Sequence, residues 1–185
     1  QLLVYLDEEM SQLVRSEVER HGVQVRVNDG LVRFEGAGHL EKVVTQHSEI
    51  PADMALVAIG VRPNVKLAER TGIKLGAGKA ISVDSQMRTN FEGVFAAGDC
   101  TDATHQVTGE KVYIPLGSTA NKQGRVAGSN AAGMACTFEG VAGTAVVKIF
   151  DLEVARTGLT PRQARSKRRE ADVSTGKADN HTTYD

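Results

Sequence analysis

The stretch Thr89-Asn90-Phe91-Glu92-Gly93-Val94-Phe95-Ala96-Ala97-Gly98-Asp99 decides how the rest of the chain is read. Its middle, Val94 to Ala97, is a short apolar run of the length and type expected for a strand buried on both faces. A glycine and then an acid end it. That order delivers one carboxylate to the carboxyl edge of a sheet, where open α/β folds bind their ligands. Gly98 lets a ligand approach the backbone, and an ionised Asp99 offers only acceptors, which suits a hydroxyl-bearing ligand.

Downstream, Cys100 beside that acid invites a redox reading, but a small buried thiol is the preferred one. His105 lies in a polar loop with no cysteine or second histidine at metal-ligand spacing, so a solvated or locally bonded imidazole is expected. His21, His39 and His47 fall on separate elements, and no metal site is predicted. Lys111 to Leu116 alternates as a strand that Pro115 brings to an end. A helix then opens at Gly117 and runs to Gly133, dense in alanine and glycine. Glycines weaken a helix, so their density points to close packing, either against a sheet or against a cofactor. The free N–H groups at its start, near Ser118 to Ala120, favour negative charge opposite them.

Upstream, Asp7 is placed to cap a helix, with Glu8 and Glu9 in its first turn. Leu6, Met10, Leu13, Val14 and Val18 form its apolar stripe, and Gly22 supplies the stop. Val23, Val25 and Val27 alternate with Gln24 and Arg26 as a half-buried strand. Asn28-Asp29-Gly30 and Glu35-Gly36-Ala37-Gly38 are turns of a small meander through Leu31–Phe34 and Val43-Val44-Thr45. Met54 to Ile59 is continuously apolar and predicts a strand of a sheet covered on both sides. Arg62-Pro63-Asn64 makes a turn, with Arg62 a plain connector or a functional side chain, and Val65–Thr71 a short helix stopped by Gly72.

Toward the end of the chain, Gly143 to Phe150 is β-branched and apolar, and predicts a strand. Thr160 is placed to cap a helix with Pro161 at its first position. Arg162, Arg165, Lys167, Arg168 and Arg169 read as a solvated basic face or an attractor of an anionic substrate.

With 185 residues, 41% hydrophobic and 24% charged, the chain has the composition of one or two globular domains. A formal net charge of -1 argues against a nucleic-acid or membrane-surface partner and leaves a small molecule as the expected one. No apolar run reaches the length of a membrane span. Cys100 and Cys136 form no CxxC, which speaks against a zinc or dithiol centre. With no secretory leader evident, a cytoplasmic setting is expected. Gln1 in place of a methionine, and an end at Tyr184-Asp185 without a capped helix, read as a chain cut from a longer one.

Thr89 followed after four residues by Val94-Phe95-Ala96-Ala97-Gly98-Asp99 resembles the second flavin-binding motif of the FAD-dependent pyridine nucleotide-disulphide oxidoreductases. The resemblance implies that Asp99, after Gly98, bonds a ribityl hydroxyl of FAD. It also implies that the helix start reached through Pro115-Leu116 faces the pyrimidine edge of the flavin, with Leu116, Thr119 and Ala120 as contacts. The fold implied is α/β. Residues 1–78 would be the C-terminal part of an NAD(P)H-binding domain and 79–138 that of an FAD-binding domain, both three-layer and Rossmann-like. Residues 139–185 would open an α+β dimerisation domain. The third region is most similar to coenzyme A-disulphide reductase and NADH oxidase-like members.

The activity implied is that of an FAD-dependent oxidoreductase, passing hydride from NAD(P)H to flavin and then to a cysteine sulfur or oxygen, with a small disulphide or oxygen as substrate. The sequence holds no GxGxxG, and neither cysteine matches the family's redox position. No residue of this chain is therefore assigned to catalysis. The segment alone is expected to be inactive, to hold FAD weakly or not at all, and to form a homodimer or self-associate through exposed sheet edges. His181 and Tyr184 stand where the family approaches a tyrosine-bearing segment that serves the partner subunit. A ferredoxin- or rubredoxin-reductase relative, and a non-catalytic dimerisation or interaction module, are the competing readings.

Overall fold

The computed structural model describes residues 1–168, 170, 172–174 and 176. Arg169, His181 and Tyr184 lie outside the described residues. Helix α1 spans Glu8–Arg20 and ends where Gly22 takes φ 80°. Strands β1 (Leu31–Glu35), β2 (Lys42–Thr45) and β3 (Glu49–Pro51) make an antiparallel sheet in the order β1-β2-β3. Pro51 is tolerated because β3 lies at the sheet's edge. Between β1 and β2 the chain turns at Gly36, where a Cβ would land on the His39 carbonyl oxygen.

Helix α2 (Lys66–Thr71) is stopped by Gly72 in the left-handed region, as the sequence predicts. The short pairs β4 (Ala103–Thr104) with β5 (Lys111–Val112), and β6 (Ala145–Ile149) with β7 (Leu152–Arg156), flank helix α3 (Gly117–Ala131). Helix α4 (Pro161–Ser166) starts with the predicted cap. Thr160 accepts the Gln163 N–H, and the Gln163 side chain accepts the Thr160 N–H.

Two apolar clusters hold these elements. In the first, Val65, Ala68, Ile81, Val83 and Met87 pack with Ile73, Leu75, Ala96, Cys100, Val126, Ala127 and Phe138. The second joins segments far apart in sequence, with Leu6 and Val14 packed on Val154. Around it Arg156 donates to the Tyr5 carbonyl, and Arg20 bonds both Glu17 and Asp151. The His21 ring stacks on Phe150 at 3.9 Å. The Glu17 and Asp151 carboxylates and His21 come within 4.8 Å of one another, a grouping that separate positions in sequence hide. Arg20 already balances the two acids.

Several sequence expectations are corrected. Val23–Val27 forms no strand and is mostly exposed. Met54–Ile59 is likewise without ladder partners, and Met54, Leu56 and Ile59 are 86%, 92% and 89% exposed. A strand apolar on both faces needs a layer on each side, and no described residue supplies either layer. Val94–Ala97 is not a full strand. Phe95 makes a single antiparallel bridge to Arg88, and the run is only partly covered. The strand expected over Lys111–Leu116 shortens to two residues. In α1 the buried stripe is Ser11 and Val14, while Met10 and Leu13 are 48% and 56% exposed. No helix among the described residues is long and apolar enough to cross a membrane.

Candidate cofactor site

The Thr89–Asp99 stretch is shaped by side-chain bonds to its own backbone. The Thr89 hydroxyl accepts the Phe91 N–H at 3.2 Å and lies 3.0 Å from the Val94 carbonyl, which also accepts the Thr89 N–H at 2.9 Å. Asn90 ties the turn to the end of α2, accepting the Lys74 N–H at 2.7 Å and donating to the Gly72 carbonyl at 3.2 Å. Ala96 donates to the Met87 carbonyl at 3.1 Å. Met87 is 1% exposed and holds φ 62°, a left-handed conformation costly for a side-chain residue. The Asp84 carboxylate stabilises that kink by accepting the Gln86 and Arg88 N–H groups at 2.8 and 2.9 Å.

Gly98 follows with φ 87°. A Cβ there would point at the Ala120 methyl, 3.8 Å away, so the turn and the first part of α3 stand side by side. The Gly98 carbonyl accepts the Thr101 N–H at 2.9 Å, which closes a tight loop with Asp99 inside it. Asp99 is exposed, and neither its carboxylate nor its N–H has a hydrogen-bond partner among the described residues. At α3, Leu116 caps the helix with extended backbone and no side-chain bond, and the first turn carries no acid. The N–H groups of Gly117, Ser118 and Thr119 have no partner among the described residues, whereas that of Ala120 goes to the Leu116 carbonyl. Leu116 and Thr119 also line a cavity of about 200 Å³ with Gln106, Lys122, Phe138 and Thr144.

Of the five residues expected at the site, Gly98 faces Ala120 with room for no more than a methyl between them, Asp99 adjoins Gly98 in the chain, and Thr119 and Leu116 sit at the helix start. Beneath them lies a polar layer that sequence reasoning missed. Gln123, 1% exposed, and Asp102, 0% exposed, carry it. Gln123 accepts the Gly98 N–H at 3.0 Å. Asp102 pairs with Lys111 at 3.2 Å and accepts the Val83 N–H at 3.3 Å, while Lys111 also bonds the Val83 carbonyl. Two amides on one face of α3, Gln123 and Asn130, bracket the apolar Val126 and Ala127, and that spacing was the available signal.

The histidine expectation is sharpened as well. His105 is 4% exposed, not solvated, and its Nδ1 accepts the Val107 N–H at 3.2 Å. Burial, with Arg156 and Lys167 nearby, holds its pKa below the ordinary histidine value. Tyr113 packs on Gly78 with its hydroxyl buried, and burial raises its pKa. Cys100 packs in the first cluster and its thiol donates to the Ala97 carbonyl at 3.4 Å. The glycine density of α3 does not reflect packing among the described residues, since a Cβ at Gly124 or Gly128 would meet nothing within 4 Å.

The donor set fits the flavin that the sequence resemblance implies. An exposed carboxylate can accept from a hydroxyl, and a helix start without acids or a side-chain cap favours an electron-rich edge opposite it. The family model described as pyridine nucleotide-disulphide oxidoreductase matches residues 1–124. The NAD(P)H sulfur oxidoreductase (CoA-dependent) of Pyrococcus furiosus is 41% identical over 158 residues, 85% of this chain and 36% of that protein. An NADH oxidase of Methanocaldococcus jannaschii is 37% identical over 180 residues, 97% of this chain and 40% of its own length. The crystal structure of an FAD-dependent pyridine nucleotide-disulphide oxidoreductase from Desulfovibrio vulgaris superposes with a TM-score of 0.82 at 38% identity, covering 88% of this chain and 41% of that one. The chain thus spans between a third and two fifths of the curated relatives' length.

Proposed function

Because this chain belongs to the pyridine nucleotide-disulphide oxidoreductase family, we propose that it serves an FAD-dependent NAD(P)H oxidoreductase acting on a small sulfur compound or oxygen. The observation that carries the reading is the meeting of two walls. Gly98, next to the exposed Asp99, faces the first turn of α3, where a Cβ added to it would lie 3.8 Å from the Ala120 methyl. When bound, FAD supplies the two-electron chemistry between NAD(P)H and the final acceptor.

In this reading the chain's own residues bind and orient. Asp99 accepts a ribityl hydroxyl, Gly98 keeps the backbone low enough for that approach, and Leu116, Thr119 and Ala120 border the pyrimidine edge. The helix start favours whichever oxidation state of the ring carries more negative charge on that edge. Residues 1–78, 79–138 and 139–185 are assigned to NAD(P)H-binding, FAD-binding and dimerisation portions of a cytoplasmic homodimer. The higher identity to the sulfur oxidoreductase than to the NADH oxidase favours a sulfur acceptor.

Asp99→Ala in the full-length protein tests this. Losing a hydrogen bond to a charged acceptor should cost about 1.5–3 kcal/mol, or roughly 10- to 150-fold in FAD affinity. Flavin release followed by fluorescence measures it. A wild-type protein that takes up no FAD would refute the reading, and an FAD-binding protein indifferent to Asp99→Ala would remove Asp99 from the site.

A further inference from the structure

We propose that Gln123 is a positioning residue that fixes the Asp99 turn against the start of α3, so that both walls present themselves to one ligand at a set separation. The proposal rests on the flavin reading above. Its distinctive element is a single amide that grips both sides of Asp99. The Gln123 Oε1 accepts the Gly98 N–H at 3.0 Å, one residue before the acid, and lies 3.2 Å from the Thr101 hydroxyl, two residues after it. The Nε2 donates to the Asp102 carbonyl at 3.4 Å.

The Thr101 hydroxyl has one proton and two acceptors in reach, the Gly98 carbonyl at 2.9 Å being the other. The Thr101 N–H already serves that carbonyl, so the hydroxyl can turn to Gln123 without orphaning it. With Gly98 and Thr101 both held from beneath, residue 99 is left at the outer side of the loop, where its carboxylate is exposed. Gln123 lies one turn beyond Thr119 and Ala120 on the same helix, so a shift of its side chain would move the turn relative to the open N–H groups. An apolar residue of equal volume would fill the space but leave the Gly98 N–H and the Asp102 carbonyl without this partner.

A purely structural role is the competing explanation, and α3 contains its own control. Asn130 is 7% exposed, donates to the Gln86 and Cys136 carbonyls and accepts the Cys136 N–H, each at 2.8 Å. It is a buried amide on the same helix face with the same chemistry, and it has no bond to the Asp99 turn.

The experiment compares Gln123→Leu with Asn130→Leu in the full-length FAD-loaded protein, reading FAD affinity of the apoprotein, flavin midpoint potential and thermal midpoint. Gln123→Leu should weaken FAD binding at least about tenfold and displace the potential, while Asn130→Leu lowers the thermal midpoint but leaves FAD affinity within about twofold. Equal effects of the two variants on FAD, or an unchanged affinity in Gln123→Leu, overturn the proposal.

Gln123→Asn keeps the amide but withdraws it by one methylene, and decides the matter if the leucine variant does not fold. It should lower affinity about fivefold and shift the potential, and wild-type values for both would overturn the proposal. Absence of FAD from the wild type would remove the flavin reading and this proposal together. An FAD-binding wild type with an indifferent Gln123 would remove this proposal alone.

Discussion

Residues 23–60 and residues 65–142 contain similar proportions of apolar residues put to different use. In the first region Val44 is the only buried residue, and the apolar run at 54–59 is exposed throughout. In the second, Val65, Ile81, Val83 and Met87 form a core, and buried Asp102, His105, Gln123 and Asn130 have polar partners around it. The difference lies in how each region obtains its partners. The meander finds its hydrogen bonds locally, strand to neighbouring strand, and so forms without burying its faces. The second region closes only when α2, the 81–102 segment and α3 meet, because its donors and acceptors lie on different elements.

The sharpest way to break the comparison is to make the same cut in both regions. Met87→Ala should destabilise by about 2–5 kcal/mol through cavity formation, whereas Ile59→Ala, at an 89% exposed site, should stay within about 0.5 kcal/mol. Denaturant unfolding of this chain measures both. Similar losses would show that residues 54–59 are buried in solution.

A second test uses pH. His105 has a depressed pKa in the folded state, so its neutral form is the one the fold accommodates. As pH falls below the ordinary histidine value of 6.5, the unfolded chain takes up a proton that the folded chain refuses, and stability declines. The decline runs from that pH down to the lowered folded-state value. Protonating Nδ1 would also remove the acceptor for the Val107 N–H. Thermal unfolding between pH 7.5 and 5.5 should show a falling midpoint that His105→Gln flattens.

The smallest effect has an informative sign. Gly124→Ala and Gly128→Ala should each stabilise this chain by about 0.5–1 kcal/mol, since a Cβ meets nothing at either position. If the same changes destabilise the full-length protein, the open face of α3 is covered there.

The legibility of the sequence follows the same division. Local signals worked wherever one short segment contains its own cause. Gly22 and Gly72 stop helices, Thr160-Pro161 starts one, and Gly36 turns the meander. The turn at Gly98-Asp99 and the helix start at Gly117, where the candidate site is proposed, were legible because a motif and a glycine mark them. Strand predictions over 23–27, 54–59 and 94–97 assumed neighbours, and a run of valines carries no information about whether they exist. Gln123 and Asp102 were missed because each is buried among partners on other elements, and Gln123 in a glycine-rich helix reads as solvated until its partners are known.

The union of α1 with the β6–β7 hairpin bears on the timing of synthesis. The Val14 face of α1 is buried against Val154, and Arg20 reaches Asp151, so the helix acquires its partner about 130 residues after it is made. At roughly 5–20 residues per second, a nascent α1 waits about 7–26 s with its apolar side uncovered. For that interval it is open to chaperones and to neighbouring nascent chains on the same message, and the arrival of the hairpin ends the exposure.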